Sequence, residues 1–357
     1  MKIGLLTGGG DAPGLNAVLR ALTKSLIHQC GAEVLGIEDG YLGLIEGRAR
    51  PLDWRAVSGI VALGGTLLGT TNRVSPLAHE GHDRRDEVLA QARAWGLDGV
   101  VAVGGDGTMA IADALHRHGL PSIGVPKTID NDIPHVERSF GFDTAVATIT
   151  EALDHVQTTA QSHGRVMLVE TMGRNAGWLA LEAGIAGGAD AILLPEIDYD
   201  IEAIAALCRA RAARQRFTVI CVAEGAKPRG GQRTLQARVE GAPEPERLGG
   251  VSQVLCQQLQ AVLTSEVRAT VLGHVQRGGT PTAADRVLAT HYGNAAAALV
   301  REGGWGRMVA HEQGRIGSVA LAAVAGGNRR VAMDDALLQC ARDIGVCLGD
   351  GPGYQPA

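Results

Sequence analysis

Aromatic residues are scarce in this chain: Phe, Trp and Tyr together make up 3% of its 357 residues. Proteins that hold single-stranded nucleic acid stack the bases on aromatic side chains, so this composition argues against such a partner. The net charge of −5 and the lack of a basic block argue against nucleic acid in general, because binding to phosphate backbones depends on clustered Lys and Arg.

Closely spaced cysteines and long apolar runs are also missing. The six cysteines lie far apart along the chain without a Cys-x-x-Cys pair. Without such a pair a zinc site or a disulfide framework is not indicated, so we expect reduced, buried thiols in a cytoplasmic protein. No apolar run approaches the length of about 18 residues that a membrane span needs. The N-terminus opens on a strand pattern instead of a signal peptide, which predicts a soluble protein with no membrane partner.

Glycine, in contrast, is abundant, with 50 residues and no collagen period. Such a content predicts many tight turns and close approaches of the backbone. Apolar residues make up 45% and charged residues 20%, which is typical of a globular chain. The length exceeds that of a single core, so we expect two domains. The segment Lys227–Gly250, rich in Gly, Pro, Arg and Glu, is predicted to be a surface loop without function.

The stretch Pro126–Asp132 (Pro-Lys-Thr-Ile-Asp-Asn-Asp) follows the apolar run Ser-Ile-Gly-Val, which predicts a buried strand. Asp130 and Asp132 therefore come where a strand ends, the position at which open α/β sheets bind ligands. One carboxylate can accept a proton from a substrate hydroxyl, while the other orients it or helps to hold a metal. An Asx-rich turn is the alternative interpretation, since Asp and Asn favour turns.

Two glycine-rich segments also follow predicted strands. Gly8–Asp11 comes after a short apolar run, and Gly104–Thr108 comes after Gly99–Val103, with a helix expected from about Met109. Glycines at the start of a helix let backbone N–H groups face phosphate. Asp106 is placed to reach a phosphate-bound Mg²⁺. Neither segment is a Walker A loop or a dinucleotide fingerprint, and a tight strand-to-helix turn is the alternative.

Several basic side chains accompany these loops. We expect Arg174 at the start of a helix, where it is suited to bidentate contact with phosphate. Arg268, His274 and Arg277 lie within ten residues of one another beside a glycine turn, a combination that suits a sugar phosphate. A surface arginine and a structural histidine are the alternatives for these positions.

Taken together, these motifs resemble the phosphofructokinases. The motifs that carry the resemblance keep the family order up to about residue 290: Gly-Gly-Asp-Ala-Pro-Gly-Leu-Asn-Ala (9–17), Asp-Gly-Tyr-Leu-Gly-Leu (39–44), Gly-Gly-Thr-Leu-Leu-Gly (64–69), Gly-Gly-Asp-Gly-Thr (104–108), Pro-Lys-Thr-Ile-Asp-Asn-Asp (126–132), Met-Gly-Arg (172–174), Glu224 and Gly-His-Val-Gln-Arg-Gly-Gly (273–279). The resemblance implies an α/β fold of two doubly wound Rossmann-like domains with the active site in the cleft between them. It implies a nucleotide-binding domain of residues 1–141 and 276–326, and a sugar-phosphate-binding domain of residues 142–275 and 327–357.

The resemblance also implies the reaction: the γ-phosphoryl group of ATP would move to the 1-hydroxyl of fructose 6-phosphate, giving fructose 1,6-bisphosphate in glycolysis, with Mg²⁺ as cofactor. Phosphoryl transfer needs positioning and charge neutralisation more than covalent help, which agrees with the residue types present. By position in the motifs, Asp130 would be the general base, with Thr128 and Asp132 in support. Arg174 would stabilise charge on the transferring group, and Gly10 would complete the catalytic set.

Binding roles follow from the same resemblance. The nucleotide would contact Gly10, Tyr41, Arg73, Gly104, Gly105, Asp106, Gly107 and Thr108, with Asp106 serving Mg²⁺. The sugar phosphate would contact Thr128, Asp130, Asp132, Arg165, Met172, Gly173, Arg174, Glu224, Arg268, His274 and Arg277. Of these, Arg165 and Arg268 would reach the active site of a neighbouring subunit, which implies a homodimer or homotetramer.

Two positions bear on the phosphoryl donor. Pyrophosphate-dependent members carry Asp where this chain has Gly107, and that carboxylate would repel the α-phosphate of ATP. Lys127 replaces the Gly common in bacterial ATP enzymes and is usual in pyrophosphate enzymes. The pair Gly107 and Lys127 also occurs in ATP-using branches, so ATP is the predicted donor. Arg73 is the candidate replacement for the nucleotide-contacting arginine that many bacterial members carry at the position of Asn72.

Three other functions compete with this interpretation. A reversible pyrophosphate-dependent phosphofructokinase is the close alternative. A NAD or lipid kinase would share Gly-Gly-Asp-Gly-Thr but would lack the Asp-Asn-Asp and His-Val-Gln-Arg-Gly-Gly elements. A non-catalytic nucleotide-sensing subunit is disfavoured, because an inactive chain has no chemical need for the full set of Asp130, Asp132 and Arg174.

Overall fold

A computed structural model of the chain describes residues 1–214, 216–238 and 246–351. Residues 239–245 of the predicted surface loop therefore lie outside the described residues. The chain divides into two compact units. The first unit consists of Met1–Thr144 and Arg277–Arg329, and the second consists of Ala145–Gln276 and the residues from Arg330 onward.

The strands and helices of the described residues are numbered in chain order. The strands are β1 (Lys2–Thr7), β2 (Glu33–Ile37), β3 (Ala49–Pro51), β4 (Gly99–Gly104), β5 (Ser122–Pro126), β6 (Val166–Thr171), β7 (Ala191–Leu193), β8 (Thr218–Ala223), β9 (Leu235–Arg238), β10 (Glu246–Leu248), β11 (Val267–Val271), β12 (Arg307–Glu312) and β13 (Arg315–Ala320). The helices are α1 (Leu15–Cys30), α2 (Tyr41–Glu46), α3 (Arg85–Ala94), α4 (Asp106–Arg117), α5 (Phe142–His163), α6 (Trp178–Ala186), α7 (Ile201–Ala212), α8 (Val251–Val262), α9 (Ala283–Arg301) and α10 (Ala336–Asp343). No helix within these residues is both long and apolar enough to cross a membrane.

A seven-stranded sheet forms the centre of the first unit, in the order β13-β12-β5-β4-β1-β2-β3. Neighbouring strands from β12 to β2 are parallel, and β3 and β13 are antiparallel edge strands. Successive residues of a strand face opposite sides. Leu5 of β1 accordingly packs into the core formed with α1 and α9, and Leu6 packs into the core formed with α3 and α4. Helices therefore cover both faces of the sheet, and the predicted α/β fold class is confirmed.

The strand order reverses at the middle of this sheet. From β1 the chain continues to β2 on one side, whereas β4 lies on the other side of β1 and continues to β5. In doubly wound sheets, ligands bind outside the carboxyl ends of the strands at such a switch point. The segments that follow β1, β4 and β5 are therefore the place to look for a site in this unit.

The second unit contains a four-stranded parallel sheet in the order β11-β6-β8-β7. One face forms a core with α7 and α8 through residues such as Leu168 and Ile220. The other face lies against α6, where a Cβ added at Gly184 would touch Ile192 and Cys221. This unit is also doubly wound in character, with helices on both sides of parallel strands.

Three local predictions need correction. Helix α4 begins at Asp106, three residues earlier than predicted, so Asp106 is its first residue. Arg174 does not start a helix, because α6 begins four residues later, at Trp178. The segment Lys227–Gly250 is not only loop, since β9 and β10 pair as an antiparallel hairpin whose β9 side chains are all exposed.

Candidate active site

Three segments meet at the carboxyl edge of the seven-stranded sheet. The N–H of Gly8 donates to the carbonyl oxygen of Val103 at 2.9 Å, and the N–H of Lys127 donates to that of Gly104 at 2.9 Å. These bonds bring the segments that follow β1, β4 and β5 side by side. The predicted residues on them, from Gly10 to Asp132, consequently lie along one edge.

Glycine is needed where these segments touch. A Cβ added at Gly8 or Gly104 would overlap the side chain of Thr108, so this threonine fills the space between two glycines. Tyr41 is buried, and its hydroxyl donates to the carbonyl oxygen of Thr108 at 3.0 Å. Burial raises the pKa of Tyr41, which keeps the hydroxyl a donor. The structure therefore places the Tyr41 hydroxyl against the backbone of the 104–108 segment, which it supports.

Gly107 differs from these buried glycines. It is exposed, it lies in the first turn of α4, and a Cβ added there would meet nothing within 4 Å. The N–H groups of a helix's first turn lack intrahelical partners and carry partial positive charge. The open side of α4 thus offers unobstructed backbone donors to an anion.

The two acids of the central motif share a threonine. Thr128 Oγ1 accepts a hydrogen bond from the N–H of Asp130 at 3.0 Å and donates to Asp132 Oδ1 at 3.3 Å. The buried Asn131, in the left-handed region with a φ of 54°, donates through Nδ2 to the carbonyl oxygen of Glu137 at 3.0 Å. Burial, and then the charges of Asp130 and Asp106, raise the pKa of Asp132. The turn is therefore fixed by side chains, with three carboxyl groups close enough to repel one another.

Two cations lie over the glycine segment after β1. The Nζ of Lys127 donates to the carbonyl oxygen of Gly10, and Arg277 Nη1 donates to that of Asp11 at 3.0 Å. A Cβ at Gly10 would overlap the guanidinium of Arg277, which explains the glycine. Burial, together with the charge of Arg277, lowers the pKa of Lys127 to about 7. The sequence grouped Arg277 with the sugar phosphate, whereas the structure places it beside Lys127 on the glycine segment.

The segment that carries Arg73 docks on the same glycines. The N–H of Gly9 donates to the carbonyl oxygen of Thr71 at 3.1 Å, and Thr70 Oγ1 donates to that of Gly9 at 2.7 Å. Arg73 is exposed two residues beyond this contact. The predicted nucleotide arginine is thus held near the glycine segment by its backbone neighbours.

In the second unit, main-chain bonds join the segments that follow β6 and β8. The N–H of Gly225 donates to the carbonyl oxygen of Gly173 at 3.2 Å, and the N–H of Glu224 donates to that of Thr171 at 2.9 Å. His274 is exposed in a 3₁₀ turn, Gly273–Arg277, soon after β11. The predicted residues Met172, Gly173, Arg174, Glu224 and His274 all follow strands at this carboxyl edge.

Gln276 is a residue that the sequence did not single out. It is fully buried, its Oε1 accepts from the N–H of Met172 at 3.1 Å, and its Nε2 donates to the carbonyl oxygen of Gly273 at 2.9 Å. It therefore ties the segment after β6 to the turn that carries His274. The only signal for it in the sequence is its position between His274 and Arg277.

The β9–β10 hairpin contacts the segment that carries Arg174. Arg174 Nη2 donates to the carbonyl oxygen of Glu246 at 2.7 Å, and Arg233 Nη1 donates to Asn175 Oδ1 at 3.2 Å. The sequence predicted no function for this part of the chain. The structure shows that it supports one of the predicted catalytic side chains.

Arg165 and Arg268 do not lie with the other predicted sugar-phosphate residues. Arg165 comes just before β6 and Arg268 is the second residue of β11, so both are near the amino ends of these strands. Both guanidinium groups pair with the carboxylate of Glu266. The structure thus groups them with each other, at the end of the sheet opposite to Met172.

The acids of the first unit fit a metal that arrives with a nucleotide. Among the described residues, no three His, Cys, Asp or Glu side chains form a metal-ligand group. Mg²⁺ is usually held by one or two carboxylates together with substrate phosphates, so Asp106 at the first position of α4 is a suitable donor. A cation near Asp106 would also relieve the repulsion that contributes to the raised pKa of Asp132.

Comparisons with known proteins agree with this arrangement. The family model for phosphofructokinases matches residues 2–300. The ATP-dependent 6-phosphofructokinase of Chloroflexus aurantiacus is 47% identical over 361 residues, covering 98% of each chain. The pyrophosphate–fructose 6-phosphate 1-phosphotransferase of Streptomyces coelicolor is 43% identical over 350 residues, covering 98% of this chain and 100% of the other. The solved phosphofructokinase structure from Saccharomyces cerevisiae matches with a TM-score of 0.79 at 31% identity, covering 90% of this chain but 45% of the yeast chain's length.

Proposed function

Because the chain belongs to the phosphofructokinase family, we propose that it transfers the γ-phosphoryl group of ATP to the 1-hydroxyl of fructose 6-phosphate. The product is fructose 1,6-bisphosphate, a step of glycolysis. The observation that carries the proposal is the convergence of two glycine segments and the Thr128–Asp132 acids at one carboxyl edge. This convergence supports phosphoryl transfer, which depends on positioned N–H donors, cations and a base.

In this reaction Asp130 is the general base. Its carboxylate takes the proton of the sugar 1-hydroxyl as that oxygen forms a bond to the γ-phosphorus, and the bond from the γ-phosphorus to the β,γ-bridging oxygen breaks to release ADP. The Thr128 hydroxyl, which joins the backbone of Asp130 to the side chain of Asp132, supports this role by holding the two acids in register. Arg174 stabilises charge on the transferring group.

The nucleotide phosphates lie against Gly10 and the 104–108 segment, with Arg73 nearby. Exposed first-turn N–H groups of α4 and the open space at Gly107 support this placement. Asp106 holds the Mg²⁺ that accompanies the nucleotide, and this ion supplies charge neutralisation between the phosphates when it is bound. Lys127 and Arg277 add positive charge over the same segment.

The sugar phosphate contacts Met172, Gly173, Glu224 and His274, and we propose a homodimer or homotetramer in which Arg165 and Arg268 serve a neighbouring copy. Their position at the amino ends of β6 and β11 supports such a separate role. Glu266, which pairs with both guanidinium groups, keeps them together until a phosphate replaces it.

A pyrophosphate-dependent reaction is the second candidate, and the buried Lys127 is the observation that favours it. A buried cation beside the Gly10 carbonyl group suits the compact charge of pyrophosphate. The empty space at Gly107 favours ATP, because nothing there obstructs an α-phosphate. Relatives named for either donor are similarly close in sequence and do not separate the two candidates. The choice of ATP therefore rests on the open space at Gly107.

The state of the cysteines supports a cytoplasmic location. All six, including the buried Cys208 and Cys221, are free thiols. Burial raises the pKa of Cys221 to about 12, which keeps that thiol protonated and unreactive.

A coupled assay that detects fructose 1,6-bisphosphate tests the proposal directly. The protein is supplied with fructose 6-phosphate, Mg²⁺ and either ATP or pyrophosphate, and the Asp130→Asn variant serves as the control for contaminating activity. We expect turnover with ATP that exceeds turnover with pyrophosphate by at least about 10-fold, the discrimination that a few well-placed contacts give. A folded protein that makes no bisphosphate with either donor would overturn the proposal, and a preference for pyrophosphate would establish the second candidate.

A further inference from the structure

We propose that Asn328 is a positioning residue for phosphoryl transfer, which holds the carboxylate of Asp132 through its side-chain amide. This inference rests on the proposed function of the Thr128–Asp132 acids. Asn328 lies beyond the residues 2–300 that the family model matches, and it belongs to none of the motifs found in the sequence. The fold brings it to the site from 196 residues away.

The geometry fixes both oxygens of the Asp132 carboxylate. Asn328 Nδ2 donates to Asp132 Oδ2 at 2.8 Å, and Thr128 Oγ1 donates to Asp132 Oδ1 at 3.3 Å. A carboxylate held at both oxygens cannot rotate about its last bond without losing a partner. Thr128 also accepts from the N–H of Asp130 at 3.0 Å. The amide of Asn328 therefore acts on the proposed base through Asp132 and Thr128.

The backbone near Asn328 is anchored independently of its side chain. The N–H of Arg329 donates to the carbonyl oxygen of Asp132 at 2.6 Å, and Arg329 Nη2 donates to that of Glu137 at 3.1 Å. Gly327 approaches so closely that an added Cβ would lie 3.0 Å from Pro134 Cγ. These contacts remain when the exposed side chain of Asn328 is changed, so substitution tests the amide without removing the segment.

Charge explains why an amide suits this position. Burial, and then the charges of Asp130 and Asp106, raise the pKa of Asp132, and a hydrogen bond from Asn328 favours its ionised form. A neutral amide donates this bond without adding a formal charge to the group of acids. An aspartate at position 328 would have the same shape but would place a fourth carboxylate against Asp132.

The test compares two substitutions of different chemistry, Asn328→Ala and Asn328→Asp, in the full-length protein. Loss of a hydrogen bond to a charged group at a half-exposed site predicts a kcat about 10-fold lower for Asn328→Ala. We expect Asn328→Asp to lower kcat further, with the KM values for both substrates within about twofold of wild type, because ground-state binding is unchanged. A merely structural role predicts the reverse order, since Asp keeps the shape of Asn and Ala does not.

Asn294→Ala is the matched control, because Asn294 is an exposed asparagine of α9 that accepts hydrogen bonds from Ser25 and Gln29, far from any candidate residue. Its kcat is expected to stay at the wild-type value. Hydrogen exchange of a peptide covering residues 127–134 gives a readout independent of activity, and we expect faster exchange in both Asn328 variants but not in Asn294→Ala.

Three results would overturn the inference: wild-type kcat in Asn328→Ala, wild-type kcat in Asn328→Asp, or unchanged exchange in residues 127–134. A wild-type protein without activity on fructose 6-phosphate would refute the proposed function instead. In that case the exchange measurement still decides whether Asn328 holds the turn.

Discussion

The two carboxyl edges that carry candidate residues hold those residues by different means. At the edge of the seven-stranded sheet, side chains make the key contacts: Thr108 fills a gap between glycines, and the buried Lys127 bonds to the glycine segment. Backbone bonds join the segments at both edges, but at the edge of the four-stranded sheet the buried side chain that adds to them is the neutral Gln276, and His274 is exposed. The first edge therefore has a buried charged group, Lys127, fixed in advance, whereas the second edge is joined by a neutral side chain and leaves His274 exposed to solvent.

This difference indicates a division between chemistry and recognition. Charged groups that are buried and already oriented need no reorganisation during a reaction, and they act mainly on kcat. Exposed side chains on a backbone frame exchange water for ligand, and they act mainly on KM. In steady-state kinetics, substitutions at the first edge should consequently change mainly kcat, and substitutions at the second edge should change mainly KM.

The largest effect is expected at Asp130. Asp130→Asn keeps the shape and removes the proposed base, so kcat should fall by about 10²–10⁴, the usual contribution of a general base, with the KM for fructose 6-phosphate changed only a few-fold. Steady-state kinetics with ATP measure both constants. Asp343→Asn, which changes an exposed acid that accepts from Gln339 in α10, is the control. A change confined to KM would contradict the assignment of kcat effects to the first edge.

Arg174 tests the division from the other side, because it comes from the four-stranded edge and yet has a proposed catalytic role. Arg174→Lys keeps the charge and loses the bidentate fork, so kcat should fall by about 10² if the arginine stabilises the transferring group. Arg209→Lys, at an exposed pair with Glu202, is the matched control. An effect on KM alone would place Arg174 among the recognition residues and would make the division sharper.

Gly107 is expected to show a smaller effect that depends on the donor. Gly107→Asp has open space for its side chain, so the fold is retained, but a carboxylate would face the nucleotide phosphates. The value of kcat/KM for ATP should fall by about 10-fold or more through like-charge repulsion. The neutral isostere Gly107→Asn separates charge from size in the same assay. Equal losses in the two variants would contradict the electrostatic explanation.

The smallest effect concerns the pH dependence set by Lys127. Its lowered pKa of about 7 means that the free enzyme carries this charge below that pH and loses it above. The value of kcat/KM for pyrophosphate, which reports the free enzyme, should therefore fall a few-fold as the pH rises from about 6 to about 8. Lys127→Met should remove this slope. A slope that persists in Lys127→Met would assign the titration to another group.

Stability should change with pH in the opposite direction. Between about 7 and the ordinary value of 10.5, the unfolded chain binds a proton at Lys127 that the folded chain does not. The free energy of unfolding therefore gains a contribution that increases with pH across this window. Thermal unfolding of wild type and Lys127→Met, followed from about pH 7 to pH 10.5, measures this contribution to the free energy of unfolding.

The sequence predicted best what depends on neighbours along the chain. Glycines after an apolar run, or acids after β5, form their motifs within a few residues, and the register of parallel strands then brings them to one edge. Local reasoning was less accurate for Arg174, which lies four residues before the start of α6. It also overlooked the hairpin, since the β9 residues are all exposed and give no alternating apolar pattern.

Contacts between distant parts of the chain were beyond such reasoning. Asn328 bonds to Asp132 across 196 residues, and Arg277 bonds to Asp11 across 266. Nothing in the residues around Arg277 distinguishes a guanidinium that binds the sugar phosphate from one that packs on a glycine. Gln276 was overlooked for the same reason, because its partners are chosen by the packing of the second unit.

The threonine packed between Gly8 and Gly104 has a consequence for directed evolution of this enzyme. A library that varies either glycine alone would consist mostly of misfolded clones, since any larger residue collides with Thr108. Pairing a small-to-large change at one glycine with Thr108→Gly, which removes every contacting side-chain atom, would open sequence combinations that single-site scanning never samples. Remodelling of the proposed nucleotide site is therefore better begun from position 108 than from the glycines themselves.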